Sequence, residues 1–514
     1  MSSYQFNFFS FMTKKLFLIP AAVLFGGVSY AQQVNLKKAT DFAKSITAAD
    51  LKTHLTIVAA DDMMGRETAT EGQRKAAAYL QGQMQQLGLK PGNNGVYQQP
   101  YPVYRDEVKT ASVTINGQAL ALGKDFTVTT SNHPANIKTG EVVFINFEDS
   151  LWKQDKINVA GRVVMFYFQG MNQQQRGRQF GNTLFSRMNS LVGKGIAAAI
   201  VVQDIFPSKQ HEDLGQMTTN AYPTRVMPNS FVMSPTAAAG ILGDKAAAAA
   251  AGTLTSGPVQ ANIDLVYDEV ASAMESSNIL GVLEGSDLKD EWLVISAHYD
   301  HVGTNNGVVF NGADDDGSGT VSVLEIAEAF VKAKAAGKGP RRSILFLLVS
   351  GEEKGLWGSH YYSENPVFPL DKTTADLNID MIGRVDSLYD KTPVRDYVYV
   401  VGDDKLSSDL TPITAAANKM VGLKLDPMYN DPNDRQRIYY RSDHYNFARK
   451  GVPIIFYFDG LHKDYHRPTD DVENIEFDVM EKRARLVFYT AWEMANRDAM
   501  IKRDIPLPQN GMMR

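Results

Sequence analysis

Five short runs carry the residues that could do chemistry: His298-Tyr299-Asp300-His301, Gly312 to Gly319 with Asp314, Asp315 and Asp316 inside it, Gly351-Glu352-Glu353, Asn378-Ile379-Asp380-Met381, and Tyr465-His466-Arg467-Pro468. Imidazoles and carboxylates are the usual ligands of zinc-like divalent ions. Two such ions held about 3.5–4 Å apart need a carboxylate to bridge them, further His or acidic ligands for each, and a separate carboxylate to take a proton from the attacking water. The five runs supply that set, so the chemistry they suit is hydrolysis.

Far-apart ligands need a scaffold that returns the chain to one place. Leu293-Val294-Ile295, Ile344 to Val349 and Ile454 to Tyr457 are short, continuously apolar runs, the pattern of strands buried on both faces of a parallel sheet. Leu377-Asn378-Ile379 suggests a further short strand. The His298 and Glu352 runs begin where two strands end, the His466 run follows the third, and Asp380 follows the short one. Open α/β sheets bind ligands beyond the carboxyl ends of their strands. The expected fold is therefore α/β, a mostly parallel mixed sheet flanked by helices.

In order and local wording these runs resemble the di-zinc exopeptidase family that includes the bacterial leucyl aminopeptidases, aminopeptidase S and the glutamate carboxypeptidases. The resemblance implies two zinc ions per chain. It makes His298 and Asp380 ligands of one ion, Glu353 and His466 ligands of the other, and Asp315 the bridge. Glu352 becomes the general base, and Asp300 the acceptor that orients His298 through its far nitrogen. Tyr465 stands where some members have a tyrosine that steadies the tetrahedral intermediate. The implied activity is release of terminal residues from peptides, with aminopeptidase favoured because surplus acid suits a free ammonium group. Carboxypeptidase action is the alternative, with Arg435, Arg437 or Arg441 as candidates to clamp a carboxylate. A glutaminyl cyclase with one zinc and a non-catalytic binding homologue are further alternatives.

Simpler readings stand beside these. His54, His133, His211 and His360 read as solvated or core residues, while His301, His444 and His462 lie close enough to the motifs to compete as ligands. Asp314, Asp316, Ser318, Gly319, Val321 and Glu325 nearly match a calcium-binding EF loop. The preceding segment is rich in Gly and Asn, however, and offers no entering helix.

The 514 residues are 44% hydrophobic with a formal charge of −6, enough for more than one core and too acidic for nucleic acid or an anionic membrane surface. Peptides are the expected partners. There are no cysteines, so a metal must be held by His and carboxylate. Lys14-Lys15, the apolar stretch to Val28 and Ser29-Tyr30-Ala31 form an expected signal peptide over residues 1–31, too short to span a membrane, with Met12 as a second possible start. Its removal takes two lysines and leaves a charge of −8, 50 basic against 58 acidic groups. The expected destination is the periplasm or the exterior.

The mature chain divides by texture. Residues 32–109 read as the N-terminal part of the peptidase domain, with two helices around Gly65 to Gly72 and a structural rather than catalytic Arg66. Residues 110–263 read as an inserted small β-rich unit resembling a protease-associated (PA) domain. Residues 264–502 complete the zinc peptidase domain and close on an amphipathic helix from Phe477, and 503–514 read as a loose tail.

Overall fold

A computed structural model describes residues 34–128, 133–168, 178–207, 215–220 and 227–507. The expected signal peptide, His211 and residues 508–514 lie outside them.

Leu288–His298 runs parallel to both Arg342–Val349 and Thr373–Ile379, and Thr373–Ile379 runs parallel to Ile454–Phe458. Tyr397–Val401 joins antiparallel to Ile454–Phe458, and Gly257–Leu283 antiparallel to Arg342–Val349. The continuous apolar runs are explained by helices on both faces. Ile344, Phe346 and Leu348 enter a core shared with the helices Ala48–Val58, Gly319–Ala335 and Phe477–Asn496. Leu345, Leu347 and Val349 enter a second core with Tyr362 and Phe447. Burial of each such side chain contributes roughly 1.5–3 kcal/mol over exposure. Because the four strands are parallel, His298, Glu352, Asp380 and the loop to His466 all leave at the same rim.

Gln98–Ile115 and Gly257–Leu283 pair antiparallel from Gln98↔Ile279 to Ile115↔Ile263 and carry the chain away from this rim. They lead into a second set of strands, Ala135–Phe144, Val163–Phe168, Ala198–Gln203 and Asn229–Met233, parallel to one another, with Phe126–Val128 antiparallel at the edge. Each face of this set has its own apolar core. The helix Pro235–Leu242 packs on one face and Leu184, Met188 and Leu191 of Arg178–Val192 on the other, so the insert is layered α/β rather than strands alone. The expected boundaries at 109/110 and 263/264 fall inside the two long strands.

The loose tail is corrected for residues 503–507. Arg503 donates to the carbonyls of Leu370 and Thr373 at 2.7 and 2.8 Å, and Asp504 accepts the Ser408 N–H and hydroxyl. No helix among the described residues is long and apolar enough to cross a membrane.

Candidate active site

The loop after Gly312 delivers the acidic run. Gly312 has φ +55°, and a Cβ there would lie 2.3 Å from the Asp315 carbonyl oxygen and 2.5 Å from the His301 ring, so only glycine permits this approach. Three side chains then pin the loops together. Arg66, fully buried, donates to the carbonyls of Tyr299, Val58, Asn311 and Gly312 at 2.6–2.9 Å. Asp470 accepts the N–H groups of Asp314 and Asp315 at 3.1 Å each, while its own carbonyl takes the Ala313 N–H at 2.9 Å. This ties the Asp315 loop to the loop of His466. Asp316 accepts from the N–H groups of His298, Gly319 and Met381 at 3.2, 2.9 and 3.0 Å.

All five expected ligands meet at the rim. His298 Nε2 lies 3.2 Å from Asp315 Oδ1 and 3.6 Å from Asp380 Oδ1. His466 Nε2 lies 3.0 Å from Asp315 Oδ2 and 3.1 Å from Glu353 Oε2. Ligand bonds of about 2.0–2.2 Å at tetrahedral angles would separate neighbouring donor atoms by about 3.3–3.6 Å, so these spacings suit shared ions. His298 Nε2, Asp315 Oδ2 and Glu353 Oε1 are buried without hydrogen-bond partners, as groups directed at a cation would be. Asp315 faces both histidines, one with each oxygen. Asp316 also comes within ligand distance of His298 and Asp380, and His301 within that of Asp315 and Glu353, but the oxygens of Asp316 already serve three backbone N–H groups. His466 holds its place at φ +55°, a left-handed conformation costing a β-carbon residue about 1–2 kcal/mol.

Asp300 does more than the expected orientation of His298. His298 Nδ1 is nearest the Asp300 carbonyl oxygen, 3.1 Å, and 3.6 Å from its carboxylate. The carboxylate accepts the Thr68 hydroxyl at 2.7 Å and the Glu352 N–H at 3.2 Å, so it fixes the base's backbone as well. Ser442 donates to Asp380 Oδ2 at 2.6 Å. Glu352 lines a cavity with Asp315 and Asp380, and burial, then Glu353 and Asp380, push its carboxyl well above the ordinary range although His298 opposes this. Tyr465 stacks on His466 at 3.9 Å between ring centres, and its hydroxyl accepts from Arg441 Nη2 at 3.2 Å.

The competing histidines separate by geometry. His444 is a core residue: Nε2 lies 2.8 Å from the Tyr439 carbonyl, the ring stacks on Phe456, and burial lowers its pKa to about 3. His462 faces Asp314 Oδ2 at 3.2 Å. Asp314 Oδ1 accepts the Gly383 N–H, so the acids flanking Asp315 turn outward from any EF-type centre. His301, the third of the competing histidines, is at the site. Its Nδ1 lies 2.8 Å from Glu353 Oε1 and 3.9 Å from Asp315 Oδ2, so it faces the Glu353 oxygen opposite the one that meets His466. Of the three arginines weighed, only Arg441 lines the cavity.

The donor set is poised by protons as well as geometry. Burial disfavours charge on His466, but contacts with Asp315 and Glu353 outweigh it and raise its pKa to about 10. A ligand imidazole must be neutral. A raised pKa means that protons compete until pH passes it, so zinc affinity should climb through the neutral range by about tenfold per pH unit for each proton displaced. Competition with a chromophoric chelator from pH 6 to 9 measures this, and a flat profile would contradict the assigned proton on His466.

Residues 278–491 match Peptidase family M28. A "Probable zinc metalloprotease" of Pyrenophora tritici-repentis is 27% identical over 297 residues, 50% of this chain and 59% of that protein. "Leucine aminopeptidase 1" of Penicillium rubens is 29% identical over 213 residues, 40% of this chain and 53% of that protein. The chain thus spans between half and three-fifths of these relatives' lengths. The solved aminopeptidase from Aneurinibacillus sp. strain AM-1 shares the fold, with a TM-score of 0.56 at 16% identity over 92% of this chain and all of that one. The matched segment contains all five candidate ligands together with Asp300, Glu352 and Tyr465, so the similarity to Peptidase family M28 falls on the residues of the candidate site itself.

Proposed function

We propose that the protein is an exported aminopeptidase that uses two zinc ions to release N-terminal residues from peptides. The observation that carries this is the convergence of His298, Asp315, Asp380, Glu353 and His466 at ligand spacing with unpartnered buried donor atoms. Zinc held by these residues would polarise the scissile carbonyl and offset the charge that develops on it. Glu352 takes the proton of the attacking water and returns it to the leaving amine. Asp300 holds both His298 and the Glu352 backbone, so the base and a ligand share one anchor. Export rests on the leader read in residues 1–31, and the reading of 110–263 as a PA-type unit is part of the same proposal.

The cavity beside Glu352 is walled by Met381, Ile438, Phe456, Phe458 and Leu461. Such a wall suits an apolar terminal side chain. Each buried methylene contributes about 0.8 kcal/mol, so kcat/KM for an N-terminal Leu should exceed that for Ala by roughly ten- to fiftyfold. Equal rates on matched peptides would place the side chain elsewhere.

One observation favours a second reading. Among the described residues Arg441 has no carboxylate partner, so it is available to a substrate carboxylate, as carboxypeptidase action requires. Mass spectrometry of peptides with free, acetylated and amidated ends, incubated with and without a chelator, decides. Stepwise loss from free amino termini, stopped by acetylation and by chelator, is the expected result. Loss from the carboxyl end would replace the aminopeptidase reading.

A further inference from the structure

Arg441 lies at the cavity, exposed, and among the described residues its side chain makes one hydrogen bond: Nη2 donates to the Tyr465 hydroxyl at 3.2 Å. A guanidinium has donors only. In this contact the phenol oxygen is therefore the acceptor, and the phenol's own proton must point elsewhere. Among the described residues that hydroxyl has no other hydrogen-bond partner. Tyr465 is held by its stack on His466, and both Tyr465 and Arg441 line the same cavity as Asp315, Glu352 and Asp380.

We infer that Arg441 is a positioning residue that commits the Tyr465 proton to the cavity, where the hydroxyl donates to the substrate carbonyl oxygen as that oxygen gains negative charge. This rests on the peptidase reading above. A hydroxyl without Arg441 could turn either way, accepting from solvent as readily as donating to substrate. The cation also opposes the surrounding carboxylates, which would otherwise disfavour an anionic oxygen beside Tyr465.

The test uses the full zinc-loaded chain and an amino-terminal Leu peptide, with metal content measured in every variant. Removing a preorganised donor to a developing oxyanion costs about a hundredfold or more in kcat, and loss of its orientation alone costs less. Arg441→Met should lower kcat about ten- to thirtyfold with KM within about twofold, while Arg441→Lys, also a donor only, restores part of the loss. Tyr465→Phe should lower kcat at least as far, and the double variant should match Tyr465→Phe within about twofold, because Arg441 acts through a hydroxyl no longer there. A rise in KM with kcat unchanged would make Arg441 a reader of substrate carboxylate and overturn the inference, as would losses that multiply in the double variant. These outcomes leave the peptidase reading intact. An unaltered protein that binds two zinc ions and cleaves no peptide overturns both.

Discussion

Glu352→Gln should lower kcat by about a thousandfold or more while bound zinc stays at the level of the unaltered protein. Gln has the same length and shape and keeps the backbone N–H that donates to Asp300. It cannot accept the proton of the attacking water, and proton transfer by a positioned base contributes about 10²–10⁴-fold. The ligand contacts join His298, Asp315, Asp380, Glu353 and His466, and Glu352 is absent from them. Metal content should therefore hold. The fold should hold too, because burial and the neighbouring Glu353 and Asp380 already disfavour a charge at this position. Steady-state kinetics with elemental analysis of the same samples checks both halves. A kcat within tenfold of the original would remove Glu352 as the base, and loss of one ion would make it a ligand.

The strands and the ligand motifs were legible in the sequence for one physical reason. Strands buried on both faces must be apolar throughout, so they stand out as short runs, and the polar residues that follow mark the rim. His298, Glu353 and Asp380 sit next to such runs, whereas Asp315 lies in a glycine-rich loop and its role as the bridge came only from the family resemblance. His301 and His466 could not be separated in that way. Both face Glu353, by opposite oxygens, and they differ in their approach to Asp315 Oδ2, 3.0 Å for His466 against 3.9 Å for His301.

The anchoring residues had no local signal. Asp470 lies four residues beyond His466, but its work is to accept N–H groups about 155 residues earlier. Asp316 resembles its neighbours in the acidic run, yet it serves three backbone N–H groups from separate segments. The boundaries of the insert were hidden for a similar reason. Gln98–Ile115 and Gly257–Leu283 keep one strand conformation from the catalytic strands into the second set of the same sheet, so no turn or break marks the passage. Residues 503–507, Arg-Asp-Ile-Pro-Leu, are too short to show a periodic pattern, but Arg503 caps carbonyls near the start of Thr373–Ile379.

Arg66→Met should destabilise the protein by about 3–5 kcal/mol, the range for breaking a buried charged network. Arg66 was read from sequence as structural, and the structure shows what it supports. Its guanidinium joins the carbonyl of Tyr299, between His298 and Asp300, to that of Gly312, which opens the Asp315 loop, and also takes the carbonyls of Val58 and Asn311. Met fills much of the space but leaves four acceptors without this donor, three of them in fully buried contacts. Lys should rescue little, because one ammonium cannot match a planar fork that reaches four oxygens. At a few degrees per kcal/mol for a large domain, the melting temperature should fall by roughly 10 °C. The two loops that lose their common anchor carry proposed ligands of both proposed ions, so zinc affinity should fall with it, even though removing a cation beside Asp300, Asp315, Asp316 and Asp470 would by charge alone strengthen metal binding. The sign of the affinity change therefore separates geometry from electrostatics. Weaker zinc binding with a lower melting temperature supports an anchor that shapes the site, whereas tighter binding would mean that Arg66 acts there chiefly through its charge.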